Sequence, residues 1–125
     1  MWTTDRVIAA PPEAVWALLV DFDAWPRWGP TIARATVSDS RGLALGSTGT
    51  VWTVVGVALP FTVTEFEPGR CWAWKIAGVP ATRHEVRQAP GGSTVSFGVP
   101  SWAPAYLAVC AVALRRIDRM LVAPR

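Results

Sequence analysis

Three side chains in this sequence can move a proton near neutral pH or hold a reactive carbonyl, and each type occurs once: His84 in ATRHEVRQ, Tyr106 in PSWAPAY and Lys75 in CWAWKIA. Histidine titrates nearest neutrality, so His84 suits general acid/base work, or the polar anchoring of a ligand, provided that it faces an apolar interior. Its competing role is that of a hydrogen-bonded core residue. Strand alternation assigns the sides. In TRHEVRQ the charged Arg83, Glu85 and Arg87 claim solvent, which sends Thr82, His84 and Val86 inward. In CWAWKIA, Lys75 belongs in water with Cys71 and Ala73, so Trp72, Trp74 and Ile76 turn inward. An outward lysine leaves no basis for Schiff-base chemistry. The same rule turns Val95, Phe97 and Val99 of STVSFGV inward. Tyr106, on the inner side of a final helix, supplies a second hydrogen-bond donor or packs at a rim. If the protein is an enzyme, His84 and Tyr106 are its catalytic pair.

The remaining candidates for chemistry are weaker. Glu65 in FTVTEFE shares parity with Phe61 and Val63, but Phe66 has the opposite parity, so alternation leaves its side open. Asp21 and Asp23 are expected to cap a short helix. There is no GxSxG, HExxH or GxxxxGK[ST] motif, and no nucleophile adjoins the histidine. Cys71 and Cys110 are far apart, and with one histidine they make no metal site. No metal and no cofactor are expected.

The other anomaly is tryptophan, eight in 125 residues. Each indole buries about 150–250 Å², so a set this size either fills a heavy core or walls a cavity for a flat apolar ligand. Trp16 reads as core and Trp52 as ambiguous. Trp25 and Trp28 stand at a helix-to-turn junction, Trp72 and Trp74 on a wall, and Trp102 where the last helix starts. The expected ligand-binding set is therefore Trp25, Trp28, Trp72, Trp74 and Trp102, joined by Ile76, His84, Val86, Val95, Phe97, Tyr106 and Cys110.

Composition bounds the partners. A length of 125 residues suits a single domain, residues 1–125, and 17% charged residues is below the usual quarter. A net charge of +3 with scattered basic residues argues against nucleic acid. Arg115, Arg116 and Arg119 read as the solvated face of the last helix, with a contact to anionic lipid as the alternative. MWTTDRVIAA lacks the pattern of a signal peptide, and the apolar run from Trp102 to Leu114 is too short to span a bilayer. The expectation is a cytoplasmic protein with no integral membrane segment and free thiols. Oligomeric state is not encoded legibly.

The elements that must position these residues follow from periodicity. TDRVIAA reads as a strand; Pro12 and Glu13 open a helix, EAVWALLV, and a second short helix runs into WPRW. TIARATVS, TGTVWTVVG, LPFTVTEFE, CWAWKIA, ATRHEVRQ and STVSFGV read as strands, separated by the turn signals DSRG, EPGR, GVP and PGG. A long helix from about Ala103 to Val122 closes the chain, its inner face carrying Tyr106, Val109, Cys110, Ala113 and Ile117. The fold class is α+β: one curved antiparallel sheet of about seven strands against a C-terminal helix.

VIAAPPEAVWALLVDFDAWPRWGPTI, VTEFEPGR and RHEVRQAPGGSTVSF, in this order of elements, resemble the START-like helix-grip superfamily, the polyketide cyclase/dehydrase and lipid-transport family, over residues 4–122. The resemblance implies a sheet wrapped around the last helix with an apolar pocket between them. It also implies a small hydrophobic ligand, such as a polyketide, isoprenoid or lipid, or alternatively a cyclase or dehydratase using His84. The chain is short for that family, and its compact GVPSWAP connection implies a cavity altered at one end.

Overall fold

The computed structural model describes residues 1–38 and 42–122. The DSRG turn expected between the second and third strands falls largely outside the described residues. Strand β1 spans Trp2–Ile8, and helix α1 follows over Pro12–Val20. Pro12 fits the first helical turn because its missing N–H would have had no intrahelical partner, and Pro11 before it is extended, with no side-chain cap. Helix α1 buries Val15 and Leu19, four residues apart and hence on one face. Trp16 turns toward Phe66 instead, edge-on to it with ring centroids 5.6 Å apart.

The second helix, α2, spans only Trp25–Trp28. Neither Asp21 nor Asp23 caps it: its N-cap is Ala24, without a side-chain bond. Asp21 Oδ1 instead accepts the N–H of Asp23, 3.1 Å away, in an Asx turn. The aspartate thus shapes the corner between the helices.

Strands β2 (Ile32–Val37), β3 (Thr48–Thr53), β4 (Ala58–Glu67), β5 (Cys71–Ile76), β6 (Val79–Ala89) and β7 (Gly92–Val99) form an antiparallel meander. β1 adds beside β7, giving a seven-stranded sheet in the order β1-β7-β6-β5-β4-β3-β2. Turn chemistry sets the β5–β6 hairpin tighter than the GVP signal implies. Only Ala77 and Gly78 lie between the strands, both at positive φ (52° and 79°), as a two-residue hairpin turn requires. Val79 and Pro80 therefore belong to β6. Gly49 in β3 is required by packing, because a Cβ there would meet the Phe61 ring at 2.7 Å and collide with the Thr36 carbonyl.

Register shifts interrupt the β2–β3, β4–β5 and β5–β6 pairings, and the one in β4 is a bulge that decides where Glu65 points. Val63 pairs with Trp74 and Glu65 with Ala73, so Thr64 has no partner residue on β5. One extra residue reverses the parity beyond it. Phe61 and Val63 are buried before the bulge, Phe66 packs on Trp16 after it, and Glu65 is delivered to the outer face with Arg83.

The final helix starts later than expected. Pro104–Tyr106 form a 3₁₀ turn, and α3 runs over Leu107–Leu121. Its buried stripe is Cys110, Ala113, Leu114 and Ile117. Asp118 accepts from Arg6 of β1 at 2.7 Å and ties the far end of the helix to the sheet edge.

Candidate functional site: a sealed aromatic stack beside an open apolar cavity

Helix α2 drops two indoles into the hollow of the sheet. Trp25 is fully buried, and its Nε1–H donates to the Leu19 carbonyl at 2.9 Å, which closes α1 over α2. Its ring lies parallel to Trp72 at a centroid distance of 5.2 Å, and Trp72 in turn stacks on His84 at 4.1 Å. Trp74 and Phe61 meet Trp25 edge-on, while Phe97 meets the imidazole edge-on at 4.8 Å. Trp28 adds a further edge against His84. These offset and edge contacts are the arrangements that aromatic quadrupoles favour. What they leave empty is about 40 Å³, on the order of a single water.

His84 faces inward, as alternation requires, and its hydrogen bonds define its charge state. Nδ1 lies 3.2 Å from the Trp72 carbonyl, which can only accept, so Nδ1 carries the hydrogen. Nε2 lies 3.1 Å from Thr82 Oγ1, and that oxygen accepts the Nε1–H of Trp74 at 2.9 Å. Donation therefore runs one way, from Trp74 to Thr82 to His84 to the Trp72 backbone, and every group is satisfied by a neutral imidazole. Burial pushes the His84 pKa down to about 3, against a smaller upward pull from the Trp72 carbonyl. The expectation of His84 as a general acid/base thus meets a sealed, neutral and fully bonded ring. Trp72 Nε1–H, by contrast, is buried without a hydrogen-bond partner among the described residues.

A second, larger space opens at the end of the sheet where β3 leads into β4 and β5 into β6. It holds about 370 Å³ and is lined by Trp74, Ile76 and Thr82 on the sheet floor and by Val51 and Leu59 on one side. Val79, Pro80 and Ala81 form a second side, and Val99, Pro100, Trp102, Ala103 and Tyr106 the third, with Trp52 half-buried at the border. No lining residue carries a charge. Its polar groups are chiefly hydroxyls. Tyr106 Oη and Thr31 Oγ1 share a hydrogen bond of 2.9 Å at the boundary between the two spaces. Burial pushes the Tyr106 phenol pKa upward, partly offset by Thr31, so the phenol remains protonated and can donate.

The structure thus divides the expected ligand set. Trp74, Ile76, Trp102 and Tyr106 line the open cavity. Trp25, Trp28, Trp72, His84, Phe97 and Cys110 border only the small residual space, having packed largely against one another. Val86 and Val95 line neither space; both are buried in the core. Trp102 leaves the start of α3 uncovered and is 67% exposed at the mouth. The Cys110 thiol is pushed up to about 11 by burial, which makes it an inert small hydrophobe. Sequence reasoning missed Val51, Leu59, Val79, Pro80 and Ala81. The signal for Val79 and Pro80 was the Ala77–Gly78 turn, which places both on β6.

On the outer face, Glu65 accepts two bonds from Arg83, at 2.8 and 3.3 Å, and its carboxyl is lowered chiefly by that bonding. Arg83 also reaches Glu85 at 3.2 Å. This network belongs to the solvent side of the sheet and contributes nothing to either space. Among the described residues no cluster of His, Cys, Asp and Glu has the grouping of a metal site, and no helix is long and apolar enough to cross a membrane.

A curved sheet gripping a C-terminal helix, with an apolar space between them, defines a family, and the chain belongs to it: the model for polyketide cyclase / dehydrase and lipid transport proteins matches residues 2–122. Among curated proteins the chain is similar to the uncharacterized protein Rv2574 of Mycobacterium tuberculosis, 28% identical over 98 residues. That match covers 72% of this chain and 58% of Rv2574, so the chain spans well under two thirds of the relatives' length. Among solved structures, MLL2253 from Mesorhizobium loti superimposes with a TM-score of 0.75 at 14% identity, covering 96% of this chain and 95% of that one. The Aha1 dimer from Colwellia psychrerythraea gives 0.69 at 19% identity, with coverage of 95% and 93%. The di-domain ARO/CYC StfQ of the steffimycin biosynthetic pathway gives 0.69 at 14%, covering 96% of this chain and 49% of StfQ. At these identities the likeness is one of fold.

Proposed function

We propose that the protein binds a small, largely apolar molecule, of polyketide, isoprenoid or fatty-acyl type, in the open cavity between the β5–β6 hairpin and the start of α3. The observation that carries this reading is an uncharged space of about 370 Å³, within the size range of small-molecule pockets. Trp74, Ile76 and Trp102 supply apolar area, and a ligand burying on the order of 200 Å² would gain about 5 kcal/mol before the cost of association. Tyr106, Thr31 and Thr82 supply hydroxyls for one or two ligand oxygens. His84 acts behind the wall, holding Thr82 in place. The cyclase alternative through His84 has less support, because no exchangeable site on that ring is open to a substrate. Chemistry in this cavity would have to draw its proton from Tyr106.

The test is displacement of an environment-sensitive apolar dye by fatty acids and polyketide-like aromatics, with native mass spectrometry of the purified protein. Trp102→Ala should weaken dye binding about tenfold, and Ala81→Trp, which fills the space, should abolish it. A protein that binds neither dye nor any apolar compound, or whose dye binding is unaltered by Ala81→Trp, would refute the reading.

A further inference from the structure

The loop tips around the cavity mouth have the wrong residues for loops in water. Thr53–Gly56 form a β-turn closed by the Gly56 N–H to the Thr53 carbonyl at 2.9 Å. Its two central residues are Val54 and Val55, 62% and 81% exposed. Such apices are ordinarily Gly, Pro, Asn, Asp or Ser. Val57, directly after the turn, is also exposed, and Val79, Trp102 and Tyr106 line the cavity and are exposed as well. Three separate loops thus present apolar side chains around one hole.

Charge is distributed to match. Residues 42–64 and 88–114 contain no Asp, Glu, Lys or Arg, and residues 71–82 contain only Lys75. Among the described residues Arg34 is a second cation near this end, its guanidinium 3.9 Å from the centroid of the Trp52 ring. Glu13 borders the opposite end of the sheet, beside Gly69 and Arg70 of the β4–β5 turn, and Glu67 precedes that turn.

We propose that this end of the molecule docks on an anionic lipid surface, with the valine-tipped turn and Trp102 entering the interfacial layer and Lys75 and Arg34 facing the headgroups. Tryptophan is at home at that depth, and exposed apolar residues flanked by cations are the chemistry of interfacial anchoring. A second copy of the chain fits the surface less well. A two-fold contact would set the same patch against itself, cations included, with no carboxylate among the described residues of this end to receive them. The proposal goes beyond the cavity's ligand, and its test separates the two.

The experiment is flotation with vesicles of phosphatidylcholine alone and of phosphatidylcholine mixed with phosphatidylglycerol. The expected result is binding to the mixed vesicles that weakens with added salt. Val54→Asp/Val55→Asp should lower it at least tenfold, and Lys75→Glu about fivefold. The apex valines lie outside the core, so thermal melts of the variants should match the parent; Val55→Ser is the milder control. Absence of binding to mixed vesicles, or binding indifferent to the valine substitutions, would overturn the proposal. So would a lipid-free dimer, seen by sedimentation, that the valine variants dissociate, because the patch would then be a homomeric contact. Dye displacement on the same samples reads the cavity separately: docking without dye binding refutes only the ligand, and dye binding without docking refutes only the surface.

Discussion

Trp72 and Trp74 occupy alternate positions on one strand, yet they border different kinds of space. Around Trp72, Trp25 on one side and His84 on the other complete a three-ring stack in which both ring nitrogens of His84 are bonded. Two residues further along, Trp74 forms the floor of a cavity whose outer rim is Trp102, more than half exposed. The difference lies in what covers each part of the sheet. Helix α2 carries Trp25 and Trp28 directly over the first, whereas the connection from Pro100 to Tyr106 skirts the second. Indole content therefore identifies an apolar hollow but leaves open how much of it stays empty.

The contrast is broken most sharply by truncation. Trp25→Ala should cost about 3–5 kcal/mol of stability, read by chemical denaturation. Trp102→Ala should change stability by less than about 0.5 kcal/mol while weakening ligand binding. Equal losses of stability would mean that the two regions are packed alike.

Acid sharpens the same comparison. His84 has a folded pKa of about 3 against an unfolded value near 6.5, so the folded state binds fewer protons. Its contribution to stability is complete above the unfolded value and is lost as the pH falls from about 6.5 toward 3. Glu65, also lowered on folding, adds a loss of the same sign in the carboxylate range. Thermal melts should fall through that window, and His84→Gln should flatten the part above the carboxylates. Ligand binding at the mouth should remain constant from neutrality into mild alkali, because the Tyr106 phenol is shifted upward.

Two smaller effects complete the series. Trp72→Phe loses ring volume but removes an unpartnered buried N–H, a group that costs about 1–3 kcal/mol, so the net change should stay within about 1 kcal/mol. Ala77→Asn should stabilise by about 0.5 kcal/mol, since asparagine tolerates the left-handed turn that alanine occupies under strain.

Much of this molecule was legible in its sequence. Strand periodicity located the strands, charged residues fixed the inner faces of β5 and β6, the alternation of Val95, Phe97 and Val99 fixed that of β7, and the quoted segments carried the family resemblance. Glu65 was not legible, because one bulged residue reverses parity and nothing in FTVTEFE marks Thr64 as that residue. The open cavity was hidden for a related reason. Its walls come from strand ends and hairpin flanks, where turn signals mask residues such as Val79 and Pro80 that still point at a neighbour. His84 shows the limit of alternation: the rule gives the side of the sheet, while the depth of cover depends on α2, which is distant in sequence.

Thr82 belongs to both regions, bordering the cavity while passing a proton-donor direction from Trp74 to His84. A guest oxygen that accepts from this hydroxyl must compete with the buried imidazole for its one hydrogen. Occupancy at the mouth is thereby written into the ring resonances of a histidine that the guest never touches.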